Sequence, residues 1–516
     1  MKKLLTLVLA LCLMASVLPA AVAEGAPYVS AEPVTLTAFL MMDTNLQDYI
    51  KDWNETPFFQ NLEKLTGVHI EFTAPPASAA AETLNLLTLG DELPDIIFSS
   101  NIYSGGPYQG YVDGYFADLA PYLPEYAPEY WSIISGSDDI WRETVDSDGV
   151  IAGMYRILQE PNPAFMRLIL KKEVLDKLGV TEVPALISDW ENLFQKMLDA
   201  GMTPYALDAS GYEEKFMGAY DVMKDFYQVD GKIKYGQVQE GFKQYLTLMN
   251  DWYSKGYISK DFVSMTGHDT LFATDTLGTF NKPIVAAYNF GKNEGYTVLS
   301  TPYARVTENQ PLHWDHYTNT MVKKDQNFGN ISVSADCENI ELAVKWINFL
   351  YTAPGVEAAN WGVKGLNFDY DENGKPYYLP AMWDYNGISA EGLNYYFKGH
   401  NFATYAYGDT TCHANLLKSP EAAAIRDEFG DDPYLDSAYY IPTLSLTEEE
   451  TDIKADIMND INTYVNEMVL KFIIGTEPLT NWDTFVSTVE GMGLQKVIDV
   501  QQAALDRYLT VVAPAK

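Results

Sequence analysis

Aromatic side chains beside polar groups are the residues of this sequence whose type and setting most clearly suggest chemistry. The chain has 36 Tyr and 10 Trp, and several lie in polar, glycine-containing segments that differ from the interior of a core helix. A flat ring packs against the C–H face of a sugar, while neighbouring Asp, Asn or Arg side chains bond to its hydroxyls. The rings in this setting are Tyr103, Tyr212, Trp361 and Trp383. We predict that they contact a ligand, and gap filling in a core is the alternative for each.

Polar residues also follow two apolar segments that have the character of buried strands. In open α/β sheets, ligands bind beyond the carboxyl ends of the strands, near the point where the strand order reverses. Polar side chains at such ends are therefore candidates for ligand contacts, and ordinary solvated loops are the alternative. The two segments and their polar residues are 34–41 with Asp43 and Thr44, and 96–98 with Ser100 and Asn101.

The short motifs of common catalytic sites are absent from the sequence. No HExxH, GxSxG, phosphate-binding loop or GxGxxG occurs, which argues against zinc proteases, serine hydrolases and nucleotide enzymes. The 71 acidic residues leave a secreted glycoside hydrolase as an alternative, because two carboxylates at a set separation suffice for that chemistry. We expect no enzyme activity and no cofactor.

Two sequence patterns partly match the spacing of metal ligands in known metal sites. His313 and His316 would share a helix face, but the flanking residues favour strand or loop, where this spacing sends the side chains to opposite faces. Residues 369–374 match the first half of a calcium loop, but Pro380 stands where that loop needs a bidentate Glu. We therefore predict a polar hairpin turn and no metal site, and leave calcium binding open.

The elements that must position these residues alternate between strand and helix. Thr56 is placed to cap a helix that begins at Pro57 and ends at Gly67. Residues 68–73 then alternate between apolar and polar, as a strand does. A second helix ends at Gly90 and leads to the next apolar strand. The order strand, helix, strand, helix, strand predicts a doubly wound α/β lobe.

The amino terminus has the three-part pattern of a secretory signal peptide. Two lysines precede an apolar run over residues 4–18, and small residues lead to Ala23. We predict that residues 1–23 are removed and that the mature protein is extracytoplasmic. Cys12 follows Leu11, where lipoprotein signals have Gly, Ala or Ser, so we expect no lipid anchor and treat lipidation as the alternative.

The length of the chain and its net charge indicate how many lobes it forms and which partners it does not bind. A chain of 516 residues exceeds what one hydrophobic core usually supports, which predicts two lobes. A formal net charge of -37 argues against a nucleic-acid partner. Cys337 and Cys412 could form a disulfide in an oxidising compartment, and the sequence does not decide whether they do.

Four segments carry a resemblance to a known family. Taken together, and in their order along the chain, they resemble the extracellular solute-binding proteins of family 1, which are the receptor parts of ABC importers. The last of them is similar to the ending of a Gram-positive subgroup of lipoproteins, although the missing lipidation signal departs from that pattern. The segments are Thr56–Ser100, Phe165–Val180, Ile331–Phe368 and FIIGTEPLTNWDTFV near the carboxyl terminus.

The resemblance implies a two-lobed α/β architecture, the type II periplasmic-binding-protein-like fold. Each lobe would be a doubly wound sheet flanked by helices, with a hinge between the lobes. Lobe 1 would comprise residues 33–157 and 287–333, and lobe 2 residues 166–283 and 335–516.

The resemblance also implies how the protein works. The segment Ile284–Phe290 resembles a strand at the crossing between lobes, which would place Tyr288 beside the ligand. The lobes would close on a small ligand, a mono- or oligosaccharide, and the closed monomer would dock on the permease subunits of an ABC transporter. A binding protein for a peptide or another small solute and a sensory receptor are the remaining alternatives.

Overall fold

The computed structural model divides the chain into two compact units. Unit 1 lies within residues 1–131, 152–154 and 329–406, and unit 2 within residues 132–151, 155–328 and 407–516. The predicted signal peptide and His316 lie outside the described residues. The structure describes residues 27–90, 93–146, 149–159, 166–314, 321–323, 330–399, 407–409, 411–412, 432–442 and 444–514.

Unit 1 combines one mixed sheet with helices and a small hairpin. Its strands are β1 (Val34–Phe39), β2 (Val68–Thr73), β3 (Ile96–Phe98), β13 (Asn330–Val333), β14 (Phe368–Tyr370) and β15 (Pro376–Tyr378). Its helices are α1 (Pro57–Thr66), α2 (Ala80–Leu89), α3 (Gly106–Val112), α4 (Leu123–Tyr126), α5 (Pro128–Ile134, whose last residues are assigned to unit 2), α13 (Ile340–Phe349), α14 (Ala353–Trp361) and α15 (Ala390–Lys398).

The sheet of unit 1 has the strand order β13-β3-β1-β2. β1 runs parallel to both β2 and β3, and β13 runs antiparallel to β3. The predicted helix between β1 and β2 is confirmed, because the Thr56 side chain accepts a hydrogen bond from the backbone N–H of Phe59 and Gly67 ends the helix in the left-handed region. Parallel strands joined through helices place the carboxyl ends of β1, β2 and β3 at one edge of the sheet.

Residues after β13 belong to unit 1, which differs from the predicted lobe boundaries. The prediction assigned 335–516 to lobe 2 and 287–333 to lobe 1, whereas the structure groups 329–406 with unit 1 and 287–328 with unit 2. Packing explains the difference within unit 1, because α14 and α15 both contact α1. On α13, Trp346 is buried and its ring meets Phe98 of β3 edge-on at a centroid distance of 6.1 Å.

Unit 2 is richer in helix and has several small sheets. Its strands are β4 (Met154–Leu158, whose first residue is assigned to unit 1), β5 (Met166–Lys171), β6 (Thr203–Tyr205), β7 (Phe226–Val229), β8 (Lys232–Tyr235), β9 (Leu277–Thr279), β10 (Asn281–Pro283), β11 (Val298–Ser300), β12 (Val322–Lys323) and β16 (Tyr407–Gly408). Its helices are α6 (Asp138–Thr144), α7 (Lys172–Lys177), α8 (Ile187–Asp199), α9 (Glu214–Met217), α10 (Glu240–Lys255), α11 (His268–Ala273), α12 (Ile284–Glu294), α16 (Glu448–Ile474), α17 (Trp482–Gly491) and α18 (Leu494–Thr510).

Most strand pairs of unit 2 join segments that are far apart in the sequence. β5 lies between β10 and β11 and is antiparallel to both. β12 and β16 each pair with β4, while β6 pairs with β9 and β7 with β8. The long helix α16 begins with the predicted capping box, in which Thr447 and Glu450 bond to each other's backbone N–H groups.

The core of unit 2 is aromatic. The ring of Trp252 lies 4.9 Å from that of Phe216 and 5.1 Å from that of Phe194, and all three side chains are buried. Among the described helices, none combines the length and apolar composition that a membrane span needs. Cys337 and Cys412 are buried, and neither forms a disulfide within the described residues.

Candidate functional site

The turn after β1 is a polar turn held by Asp43. The Oδ1 atom of Asp43 accepts hydrogen bonds from the backbone N–H of Asn45 at 2.7 Å and from its side-chain amide at 2.9 Å. This is an Asx turn, in which a short acidic side chain satisfies nearby backbone donors. Asp43 is half-buried and Thr44 is exposed, so both predicted residues of this turn can reach solvent.

The same turn packs against the loop that follows Trp383. The hydroxyl of Tyr49 donates to the carbonyl of Gly387 at 2.8 Å. A Cβ atom on Gly392 would lie 2.8 Å from the carbonyl oxygen of Asn45, so the two backbones approach closely. The structure therefore brings the Asp43 turn and the loop after Trp383 together beyond the carboxyl end of β1.

The turn after β3 is built differently. Ser99 adopts the left-handed region with φ 55°, which a residue with a side chain adopts only where its surroundings hold it. Its backbone N–H donates to the carbonyl of Asn330 at 2.8 Å. The next turn residue, Asn101, donates its backbone N–H to Oδ1 of Asn330 at 3.1 Å. One residue of β13 therefore holds this turn at two points.

Ser100 lies in a buried hydroxyl network. Its Oγ is 2.7 Å from Oγ of Ser332, which is also 2.7 Å from the carbonyl oxygen of Ala152. Because a carbonyl can only accept, the single hydroxyl proton of Ser332 goes to Ala152, and Ser100 donates to Ser332. Both serines are fully buried. In this position the hydroxyl of Ser100 fixes the strand end, and its contact with a ligand stays a prediction.

Tyr103 lies beside this turn and is half-buried. Its ring meets the rings of Tyr115 and Phe116 edge-on, and its hydroxyl donates to a carboxylate oxygen of Asp113 at 2.6 Å. Burial and then the Asp113 carboxylate raise the pKa of the Tyr103 phenol above its ordinary value. The ring is therefore a fixed, neutral surface next to Asn101.

Comparisons with known proteins agree with this architecture. The chain is 25% identical to the fructooligosaccharide ABC transporter substrate-binding protein FusA of Streptococcus pneumoniae, over 94% of this chain and 92% of that protein. The solved structure of FusA in complex with kestose superposes with a TM-score of 0.67 at 20% identity, covering 92% of this chain and 99% of that one. No family model matches the chain.

A second solved structure also has a fold similar to that of this chain. It is described as an HMO-binding, ABC-transporter-associated solute-binding protein from Bifidobacterium longum infantis, with a TM-score of 0.71 at 17% identity over 93% of this chain and 99% of that one. The chain has the fold of a solute-binding protein. The predicted fold class is thereby confirmed, and the remaining predicted residues can be placed within the solute-binding fold.

Two of the predicted aromatic residues belong to cores. Tyr212 is buried in unit 2, where its ring stacks on Phe242 at 5.8 Å and its hydroxyl donates to Oδ1 of Asn466 at 3.2 Å. Trp361 is buried in unit 1 at the end of α14, with its ring 5.0 Å from that of Tyr378. Both rings therefore have the core packing that was the alternative for each residue, and their contact with a ligand stays a prediction.

The other two aromatic residues keep exposed surface. Trp383 is half-buried, and its ring meets Tyr378 edge-on at 6.1 Å. Tyr288 is half-buried and lies in unit 2, on helix α12. The predicted strand over 284–290 is therefore wrong, since α12 begins after Pro283 and ends at Gly295 in the left-handed region.

The patterns compared with metal sites form other structures. His313 pairs with the carboxylate of Asp436 at 2.9 Å. Residues 371–375 form the turn of the β14–β15 hairpin, in which Oδ1 of Asp371 accepts from the backbone N–H groups of Asn373 and Lys375. Within the described ranges, no group of three or more His, Cys, Asp or Glu could hold a metal ion.

Sequence reasoning missed Asn330 and Ser332, the residues that hold the β3 turn. Both are buried, and Nδ2 of Asn330 bonds to no described residue. The available signal was the alternation of polar Asn330, Ser332 and Ser334 with Ile331 and Val333 in a short strand. Because polar groups are seldom buried without a role, this alternation indicates a polar function for the strand.

Proposed function

We propose that the chain is an extracytoplasmic solute-binding protein of family 1 that delivers a carbohydrate to the permease of an ABC importer. The observation that carries the proposal is the similarity to FusA, which covers 94% of this chain in sequence and 92% in fold. FusA is described as a fructooligosaccharide-binding protein, and the neighbour from Bifidobacterium as one that binds HMO. The signal-peptide pattern of residues 1–23 supports the proposed location.

The surface we propose for the ligand in unit 1 lies along the carboxyl edge of its sheet. Asp43 and Asn101 follow two parallel strands, where polar side chains can bond to sugar hydroxyls. Tyr103 and Trp383 supply half-exposed rings beside these turns. Such a surface binds a saccharide without converting it. Closure of the two lobes on the ligand is implied by the resemblance and stays a prediction, which small-angle scattering tests as a smaller radius of gyration with ligand.

The test is a thermal-shift panel followed by calorimetric titration. The panel contains kestose, nystose, milk oligosaccharides, oligogalacturonides and the corresponding monosaccharides. A ligand at a hundred times its Kd stabilises the folded state by about 2.7 kcal/mol, so at least one oligosaccharide should raise the melting temperature. If no saccharide binds, the proposed function is wrong. Chromatography of the same mixtures would reveal product, and its appearance would instead show a glycoside hydrolase.

A pair of variants connects binding to the proposed surface. Trp383→Ala should weaken saccharide binding, because the ring loses its contact with the sugar face. Tyr377→Ala removes an exposed ring of the same unit, on β15, and should leave binding unchanged. Equal affinity for the parent and Trp383→Ala would place the sugar elsewhere and leave carbohydrate binding itself untouched.

A further inference from the structure

Three buried cations of unit 2 each pair with a carboxylate. Lys171 lies 2.7 Å from Asp275, and Arg305 lies 2.6 Å from Asp432. The Nζ atom of Lys215 lies 3.5 Å from a carboxylate oxygen of Glu213. This pairing is expected, since a buried charge without a partner costs several kcal/mol.

Arg167 on β5 breaks this pattern. It is 2% exposed, yet no carboxylate among the described residues pairs with it. Its Nη1 atom donates to the hydroxyl of Tyr303 at 2.6 Å and to the carbonyl of Met166 at 3.3 Å, and the guanidinium carbon lies 4.5 Å from the centre of the Tyr303 ring. These neutral partners leave the Nε and Nη2 donors without a bond to any described residue.

The neighbouring strand adds positive charge to this region. The residue directly opposite Arg167 on β10 is Lys282, another cation. Lys282 has its own partner in Asp269, so Asp269 compensates one of the two charges. Like charges directly opposite on paired strands are destabilising. The pair Arg167 and Lys282 therefore carries a net positive charge within a chain whose formal net charge is -37.

The side chains around Arg167 offer donors and flat rings. Trp314 is buried, and its ring lies 4.5 Å from that of Tyr303. Its indole nitrogen has no acceptor within the described part of the chain. Arg167 and Trp314 thus contact the same tyrosine ring, and each has N–H groups with no bond to an acceptor among the described residues.

We infer that Arg167 binds a carboxylate of the ligand, and that the ligand is therefore an oligosaccharide that contains a sugar acid. A guanidinium presents parallel N–H donors that match the two oxygens of a carboxylate, and such charge-assisted bonds are stronger than bonds to neutral hydroxyls. The bound carboxylate would supply the counter-charge that no described residue provides there. This inference rests on the proposed function and deepens it by naming the class of sugar.

The test compares trigalacturonate with its methyl ester, which keeps the sugar rings and removes the charge. Titrations at about 0.15 M salt screen the overall negative charge of the protein beyond roughly 8 Å. The parent should bind the acid more tightly than the ester. Arg167→Gln should weaken binding of the acid by about tenfold to a hundredfold, the range expected for bonds to a charged group, and should leave binding of the ester unchanged.

Two further variants separate binding from folding. Lys171→Gln, on the same strand but at a cation that already has a partner, should leave both affinities unchanged. Arg167→Lys keeps the charge and loses the paired donors, so it should bind the acid with intermediate affinity. If Arg167→Gln does not fold, the affinity of Arg167→Lys for the acid still tests whether residue 167 binds the carboxylate. The unliganded melting temperature of Arg167→Gln should not fall, because the substitution removes a buried charge that no described carboxylate compensates.

Each outcome decides between the two proposals. If the parent binds neutral oligosaccharides and not the acid, or if the Arg167 variants bind the acid like the parent, the sugar-acid inference is wrong and carbohydrate binding stands. If no saccharide binds the parent, the proposed function itself is wrong.

Discussion

The turns after β1 and β3 look alike in sequence and differ in construction. Each follows a buried strand and begins with small polar residues. The β1 turn is satisfied locally, because Asp43 bonds to Asn45 two residues later. The β3 turn is satisfied from a distance, because Asn330 and Ser332 of β13 hold it through buried bonds. A locally closed turn leaves its side chains near solvent, whereas a turn closed from a distance buries some of them.

This difference separates the two possible roles of a polar residue at a strand end. Asp43 can bond to a ligand at little risk to the sheet, since only its own turn depends on it. Ser100 cannot be removed without disturbing Ser332 and the strand beyond it. The variants below test this distinction, beginning with the strand that both turns depend on.

Ile96→Ala should give the largest loss of stability. Ile96 is fully buried on β3, where it pairs with Ala38 of β1 and with Val333 of β13. Lost burial and the cavity left behind should lower the free energy of unfolding by about 2 to 5 kcal/mol, measured by urea unfolding. Leu86→Ala, at a residue of α2 that is 63% exposed, is the control and should change stability by less than about 0.5 kcal/mol. Similar losses in the two variants would contradict the placement of β3 in the core.

Ser332→Ala should have an intermediate effect. It removes the acceptor of the Ser100 hydroxyl and the donor to Ala152, both in a buried setting. Leaving those groups unsatisfied should cost about 1 to 3 kcal/mol of unfolding free energy. The matched control is Ser104→Ala, at an exposed serine just beyond the turn, which should be neutral. A stability equal to the parent would mean that the β3 turn does not need β13.

Asp43→Ala should have the smallest effect on folding and a measurable effect on ligand. The loss of the local turn bonds should lower the free energy of unfolding by about 0.5 to 1 kcal/mol. Affinity for the saccharide found in the panel should fall by about 0.5 to 1.5 kcal/mol, because a bond to a sugar hydroxyl is lost. Asp48→Ala, at an exposed acid of the same turn, should change neither quantity. If Asp43→Ala binds like the parent, the ligand does not use this turn.

Local sequence was sufficient where local interactions decide the structure. The cap at Thr56, the stop at Gly67 and the alternation in β2 all involve neighbours within a few residues, and the structure confirms each of them. The segment after Pro283 shows the limit. A short apolar run fits a strand or a helix equally well, and the prediction followed the resemblance instead of the helical start and the glycine stop that the structure contains.

Residues that depend on distant partners could not be placed from the sequence. Ser100 is buried because Ser332, 232 positions later, bonds to it. Tyr212 is buried because Asn466, 254 positions later, meets its hydroxyl. The sequence did not indicate a role for Arg167. A single arginine in an apolar strand becomes unusual only when the structure shows that no described carboxylate pairs with it.

The position of β13 in the sequence determines when the sheet of unit 1 can be completed during synthesis. The sheet of unit 1 gains the strand next to β3 only after about two hundred residues of unit 2 have been synthesised. Contacts of such long sequence separation form slowly, because loop closure must precede them. Until Asn330 emerges, Ser99 has no carbonyl to receive its N–H and Ser100 no hydroxyl to receive its proton. A nascent chain in this state has not completed its first unit, so the stability of that unit depends on residues that are synthesised after most of the second.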